Sequence, residues 1–242
     1  MVTNNSTNTN IGFLGIGQCG GNVVEYAAKY GYTTAVINTS VEDLNTLDFV
    51  REKKLINNNG GCGKNRNEGI AVVKNKYKEM ISFVENSFKN VNIIFVVFAT
   101  GGGTGSGFTP ILTDILSKKL STKKFILIGV MPSNYEGLSA IDNNIECLRE
   151  LYKLNLTTML VDNEKFMAAN KDKTRAELFD EINSYIVKNI NMVFSSELNS
   201  SSKYGNLDKK DINNIFNPAG MMIISKKTFT VEDIDDKGLE QI

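Results

Sequence analysis

The chain has 242 residues, 41% of them hydrophobic, which is enough for one large core or two small ones and excludes a chain disordered throughout. It carries 27 Lys and Arg against 27 Asp and Glu, so there is no basic footprint for direct binding of nucleic acid. It has no histidine, which removes the Ser-His-Asp triad, the Cys-His pair and every His-ligated zinc site, and leaves acid–base work to carboxylates and water.

Met1-Asn10 is polar, lacks the basic and apolar regions of a secretory signal, and is expected to be a disordered tail. Strand-like runs then alternate with amphipathic stretches, the pattern of an α/β fold: a three-layer, open, mostly parallel sheet flanked by helices. The strands are expected at Ile11-Leu14, Thr33-Ile37, Ile93-Phe98, Phe125-Met131 and Thr157-Val161, with a short last one at Met221-Ile224. The longest apolar runs are far below the roughly 20 residues that cross a bilayer, so no membrane partner is expected. Helices are expected at Glu68-Phe88 and Thr109-Leu120, the second with Ile111, Leu112, Ile115, Leu116 and Leu120 on one stripe. A longer helix should start at the capping box Thr174-Arg175-Ala176-Glu177 and run through Ile182, Ile186, Ile190 and Val193. Cys19, Cys62 and Cys147 have no Cys-x-x-Cys spacing and read as free thiols of a reducing cytoplasm.

Two glycine-rich loops carry the chemistry. Gly15-Ile16-Gly17-Gln18-Cys19-Gly20-Gly21-Asn22 follows the first strand and opens a helix, where backbone N–H groups and the helix dipole favour a phosphate. A dinucleotide enzyme would end its second strand in Asp or Glu to hold the ribose, whereas this one ends in Asn38-Thr39, which demotes a Rossmann oxidoreductase. Gly101-Gly102-Gly103-Thr104-Gly105-Ser106-Gly107 follows the most apolar strand, and five glycines with two hydroxyls suit an anion nest ahead of a helix starting near Phe108. It is not a Walker P-loop, because no Gly-Lys-Ser/Thr closes it. Two such loops at the carboxyl ends of different strands converge on one crevice, whose natural occupant is a nucleoside triphosphate.

These residues resemble the tubulin/FtsZ superfamily of polymerising GTPases. Gly101, Gly102, Gly103, Thr104, Gly105, Ser106 and Gly107 match its G-G-G-T-G-S-G motif without a mismatch, and Gly17, Gln18, Cys19 and Gly20 resemble the first loop of tubulin. The resemblance implies that Asn22 reads guanine, that Asn38 and Pro132 line the nucleotide, and that Gly60-Gly61-Cys62-Gly63 with Lys64-Asn65-Arg66 sense the γ-phosphate. It also implies that Glu136 meets the ribose, Asn163 the nucleotide, Phe179 the face of the base and Asn183 its edge. Asn206, Asp208 and Asp211 match the N-x-D-x-x-D catalytic loop that reaches the GTP of the next subunit, so hydrolysis would be completed between subunits of a head-to-tail filament. Mg²⁺ is expected to be held by phosphates and water, with Gln18 either orienting that water or capping the first helix.

The bland readings stand beside these. Phe179 on an apolar helix face is by default core, Lys64 and Arg66 are as readily solvated as bound to phosphate, and Cys19 and Cys62 are small loop residues. The ribose-loop arginine of FtsZ-like chains is Ala140 here, and the chain stops at Ile242, where the superfamily continues into a second α/β domain. The expected organisation is therefore a tail at 1–10, a GTP-binding domain at 11–173, a central helix at 174–203, and at 204–242 a catalytic loop with the start of a truncated C-terminal domain. Within the superfamily the chain looks most like the TubZ-type prokaryotic tubulins, which implies a cytoplasmic filament moving plasmid or phage DNA through a DNA-binding adaptor. An FtsZ-like division GTPase is the rival within the class. A GTP-binding module without turnover and, least favoured, a Rossmann oxidoreductase are the rivals outside it.

Overall fold

The computed structural model describes residues 10–57, 60–198, 210 and 214–224, with the side chains of 195–198 excepted. Among the described residues seven strands form one parallel sheet in the order β3-β2-β1-β4-β5-β6-β7. They are β1 (Ile11–Ile16), β2 (Thr33–Asn38), β3 (Glu52–Leu55), β4 (Ile93–Ala99), β5 (Lys124–Met131), β6 (Thr157–Asp162) and β7 (Gly220–Met222). The helices are α1 (Gly17–Lys29), α2 (Val41–Asn45), α3 (Arg66–Ser87), α4 (Gly103–Lys119), α5 (Leu138–Leu151), α6 (Asn163–Ala169) and α7 (Arg175–Leu198).

The sheet is buried on both faces, which is why its central strands are continuous apolar runs rather than alternating ones. Along β1, Ile11 and Phe13 point to one layer while Leu14 and Ile16 point to the other. The first layer is filled by Val23, Val24 and Ala27 of α1 and by Ile182, Ile186, Ile190 and Phe194 of α7. The second is filled by Val72, Val73 and Met80 of α3, Phe108, Leu112 and Leu116 of α4, and Cys147 and Leu151 of α5. The capping box at the start of α7 forms: the Glu177 carboxylate accepts from the Thr174 backbone N–H at 2.8 Å and from its hydroxyl at 2.7 Å.

Three differences from the sequence expectations have physical causes. β3 was hidden because its Glu-Lys-Lys-Leu sequence belongs to an edge strand with one neighbour, where charges guard the open side. α4 starts at Gly103, not near Phe108, so much of the glycine loop is already helix; the loop's glycines favour contact with other backbone more than they resist helix formation. β7 is three residues long, begins at Gly220 and joins the same sheet beside β6.

Some glycines are required by close approach. A Cβ on Gly20 would stand 2.2 Å from the carbonyl oxygen of Val97, and one on Gly105 would stand 2.7 Å from that of Ala99. Both contacts are with backbone, so α1 and α4 lie against the strand ends more closely than any other residue allows. Gly20→Ala is expected to destabilise the fold by roughly 3 kcal/mol, since the helix must move off the sheet. Gly60→Ala, with open space around it but a φ of 71°, should cost only about 1 kcal/mol. Urea unfolding of the two variants checks the order.

Burial pushes the thiol of Cys147 from 9.0 up to about 12, and the phenol of Tyr32 from 10.0 up to about 12. The unfolded chain releases these protons at lower pH than the folded one, so their contribution to stability is fully present below pH 9 and is lost as pH rises from 9 to 12. Denaturation midpoints measured across this range should fall steadily on the alkaline side, and Cys147→Ala should flatten part of that fall.

Candidate functional site

The carboxyl ends of β1, β2, β4, β5 and β6 face one cavity of about 410 Å³, within the roughly 300–1,000 Å³ usual for small-ligand sites. On one side stand two helix N-termini. α1 begins at Gly17 directly from β1, and α4 begins at Gly103 just beyond β4; neither first turn has a side-chain cap or an acidic residue. The two approach closely, since a Cβ on Gly17 would lie 3.4 Å from the backbone nitrogen of Gly105. By contrast, α2, α3 and α6 are capped by Ser40, Asn65 and Asp162. The first-turn N–H groups of α1 and α4 therefore point into the cavity with the positive ends of two helix dipoles behind them.

On the other side α7 presents Phe179 and Asn183, one turn apart, with Asn163 at the start of α6 and Asn22 on α1. Phe179 lies at the edge of the core, partly exposed to the cavity, so it is neither wholly core nor wholly free. Asn163 is 7% exposed, and its Oδ1 has no hydrogen-bond partner within the protein. A buried carbonyl left in that state costs about 1–3 kcal/mol, unless a ligand supplies the missing donor.

The structure brings together Gly17, Gln18, Cys19, Asn22, Asn38, Gly61, Gly63, Lys64, Gly101, Gly102, Gly103, Thr104, Gly105, Pro132, Glu136, Asn163, Phe179 and Asn183 around this one space. Gly20, Ser106 and Gly107 lie behind it and not in its wall. Gly20 packs on Val97, and Gly107 packs on the backbone of Arg66 and Gly69 of α3. The Ser106 hydroxyl is wholly buried and donates to the carbonyl of Gly102. Once Gly103 begins a helix, Ser106 and Gly107 come after its first turn and face neighbouring backbone, and Gly20, in the first turns of α1, faces β4 and Gly15. Asn206, Asp208 and Asp211 lie outside the described residues.

Sequence reasoning missed Ser40 and Asp43, which also line the cavity. Asn38 Nδ2 donates to the Asp43 carboxylate at 3.0 Å, and the Asp43 N–H donates to Ser40 Oγ at 3.1 Å. The Ser-x-x-Asp spacing is a capping-box pattern that could have revealed them. Thr39 and Thr104 share a hydroxyl–hydroxyl bond of 2.8 Å, which joins the β2 end to the α4 N-terminus. Glu136 caps its own short 3-10 turn by accepting from the Ser133 N–H at 3.0 Å. Burial, with the Glu136 carboxylate adding to it, pushes the Cys19 thiol up to about 12, so at neutral pH it is an uncharged neighbour for an anion. Among the described residues no group of three or more Cys, Asp and Glu could hold a metal ion, and no helix is long and apolar enough to cross a membrane.

The site can therefore take a polyanion at one end and a flat, hydrogen-bonding ring at the other. The family described as Tubulin/FtsZ family, GTPase domain, matches residues 10–171. The tubulin-like protein TubZ of Clostridium botulinum C phage is 28% identical over 234 residues, covering 93% of this chain and 60% of the relative. CetZ of Pyrococcus abyssi is 30% identical over 190 residues, covering 73% of this chain and 50% of the relative. This chain thus spans between half and two thirds of the length of these relatives. The solved structure of Clostridium botulinum phage c-st TubZ, its C-terminal tail truncated, superposes with a TM-score of 0.75 at 26% identity, covering 88% of this chain and 67% of that one. A GTPγS-bound protofilament of CetZ2 from Haloferax volcanii gives 0.75 at 24% identity, covering 88% and 64%, and shares the fold. From residue 10 to residue 171 the match is continuous, and the chain belongs to the tubulin/FtsZ family.

Proposed function

We propose that this chain binds GTP in the cavity and hydrolyses it when it assembles head to tail with further copies of itself. The observation that carries the reading is the pairing of two uncapped helix N-termini with a wall of Phe179, Asn183, Asn163 and Asn22 across one cavity. The N-termini of α1 and α4 receive the phosphates through backbone N–H groups. Phe179 stacks on guanine, and the three asparagines, each both donor and acceptor, read its edges. The unpartnered Oδ1 of Asn163 then gains a donor from the base.

Mg²⁺ would be held by the phosphates and by water, and Gln18 and Asp43, both in the cavity wall, are the side chains that would accept from that water. When bound, it neutralises charge on the phosphate chain. Asn206, Asp208 and Asp211 supply what the cavity lacks: carboxylates to orient the attacking water, brought to the γ-phosphate from an adjoining subunit. Their N-x-D-x-x-D spacing supports this role, as does a cavity whose own carboxylates, Asp43 and Glu136, are already engaged in capping and side-chain bonds. The protofilament formed by the CetZ2 relative supports assembly of this kind. A cytoplasmic filament that moves plasmid or phage DNA through a DNA-binding adaptor is the finer reading, supported by the phage TubZ relative and by the absence of a net basic charge for direct DNA contact.

Phosphate release from GTP, measured against concentration of the full chain, tests the reading. The rate per subunit should be near zero below a threshold and rise above it. Asp208→Ala and Asp211→Ala should each lower turnover by roughly 100-fold or more while GTP affinity holds. Flat, negligible release with GTP still bound would instead establish a binding module without turnover. Binding of NAD in preference to GTP would overturn the reading altogether. Separately, Phe179→Ala should weaken GTP binding by roughly tenfold in an equilibrium titration, because stacking on a base is lost.

A further inference from the structure

Two adjacent asparagines of α5, which took no part in the sequence expectations, hold the cavity loops from behind. Asn144 Oδ1 accepts the Thr100 hydroxyl at 2.6 Å, and that hydroxyl also lies 3.1 Å from the Val130 carbonyl. Asn143 Nδ2 donates to the carbonyl of Lys64 at 2.8 Å and to that of Gly101 at 3.1 Å. One amide nitrogen carries two protons and here spends them on two different loops of the site.

The Gly60–Asn65 segment needs such a tie. Lys64 has a φ of 63°, and Gly60, Gly61 and Gly63 also have positive φ, so the segment follows a path that side-chain-bearing residues disfavour. It is held to α5 and the turn before it at two points, the Asn143 bond and the bond from Lys64 Nζ to the Glu136 carbonyl at 2.7 Å, and Arg66, the residue that follows it, forms an ion pair with Glu150. Asn143 and Glu150 are seven residues apart and thus on one face of α5. The segment in turn packs on the start of α4, since a Cβ on Gly103 would lie 2.9 Å from that of Cys62 and 3.0 Å from the Asn65 nitrogen. Its packing on the α4 N-terminus places it in the cavity wall beside the end that favours an anion.

We propose that Asn143 is a positioning residue for the triphosphate: it locks the Gly60–Asn65 segment to the Gly101–Gly105 loop, so that both close on the terminal phosphate as one unit. Asn143 is not in the cavity wall and acts through the two carbonyls it holds. The assignment rests on the nucleotide reading above, and its effect falls on the one phosphate by which GTP exceeds GDP.

The test compares equilibrium binding of GTPγS and GDP, each with Mg²⁺, to the full wild-type chain, to Asn143→Asp and to Asn143→Ser. Asp keeps the size and removes both donors; Ser is too short to span both carbonyls and keeps the same comparison available should Asp fail to fold. Each variant should lose roughly tenfold in affinity for GTPγS and less than about twofold for GDP. Amides of Gly61–Asn65 should exchange with deuterium faster in the variants, while those of α3 and α4 stay protected. Equal losses for the two nucleotides, or no loss in a folded variant, would overturn the assignment and leave the nucleotide site standing. A wild-type chain that binds neither nucleotide would overturn the nucleotide reading, and this one with it.

Discussion

Much of the architecture follows from how closely two helices lie against the ends of the strands that precede them. α1 and α4 start almost where β1 and β4 stop, and glycine at positions 20 and 105 lets their backbones come within contact of the carbonyls of Val97 and Ala99. That proximity sets two N-termini side by side, and neither is capped, because Ile16 and Gly102 at the N-cap positions carry no polar side-chain atom. Their N–H groups must then be satisfied by water or by a ligand, and an anion satisfies both at once while meeting two aligned dipoles. The remaining parts of the site are arranged around this point.

The parallel sheet supplies the second condition. Because all seven strands run in one direction, every loop that leaves a carboxyl end opens on the same edge, and the loops after β1, β2, β4, β5 and β6 share one cavity. α7 crosses the same edge, bound to the first layer by Ile182, Ile186 and Ile190. Hydrogen bonds from Tyr26 to Asp180 and from Tyr32 to Asn191 add polar ties to α1 and β2. Through Phe179, Ile182 and Asn183 it forms part of the cavity wall. α5 works from behind, tying the loops to one another without entering the wall.

A site built this way has few charges of its own. The Cys19 thiol is neutral at physiological pH, Asp43 and Glu136 are engaged in capping and side-chain bonds, and the positive character comes from Lys64 and from the backbone dipoles of two helix N-termini. Such a site binds a polyanion well but does little chemistry alone. Under the proposed function this scarcity of free carboxylates is what makes an adjoining copy of the chain the source of those needed for hydrolysis.

Fold class and most of the cavity wall were legible in the residues. Buried strands such as Ile93–Ala99 announce themselves as apolar runs, and glycine-rich loops at strand ends mark places where only backbone can be used. What the residues left open depends on neighbours distant in the chain. β3 carries charges because it is an edge, and a sequence does not say which strand is outermost. Gly20, Ser106 and Gly107 belong to the same two motifs as their neighbours, yet the early start of α4 and the packing of α1 set them against backbone and outside the cavity wall. Ser40 and Asp43 carry only a capping signal in sequence and Asn143 carries none, and they come to the cavity or its loops only when β2, α2 and α5 meet at one edge of the sheet. The sequence by itself determined which segments are buried and where backbone must serve as ligand, because hydrophobic period and glycine placement are local properties. Only the tertiary structure decided which of those residues face the cavity, because that depends on the separation and rotation of helices packed against strands far away in the chain.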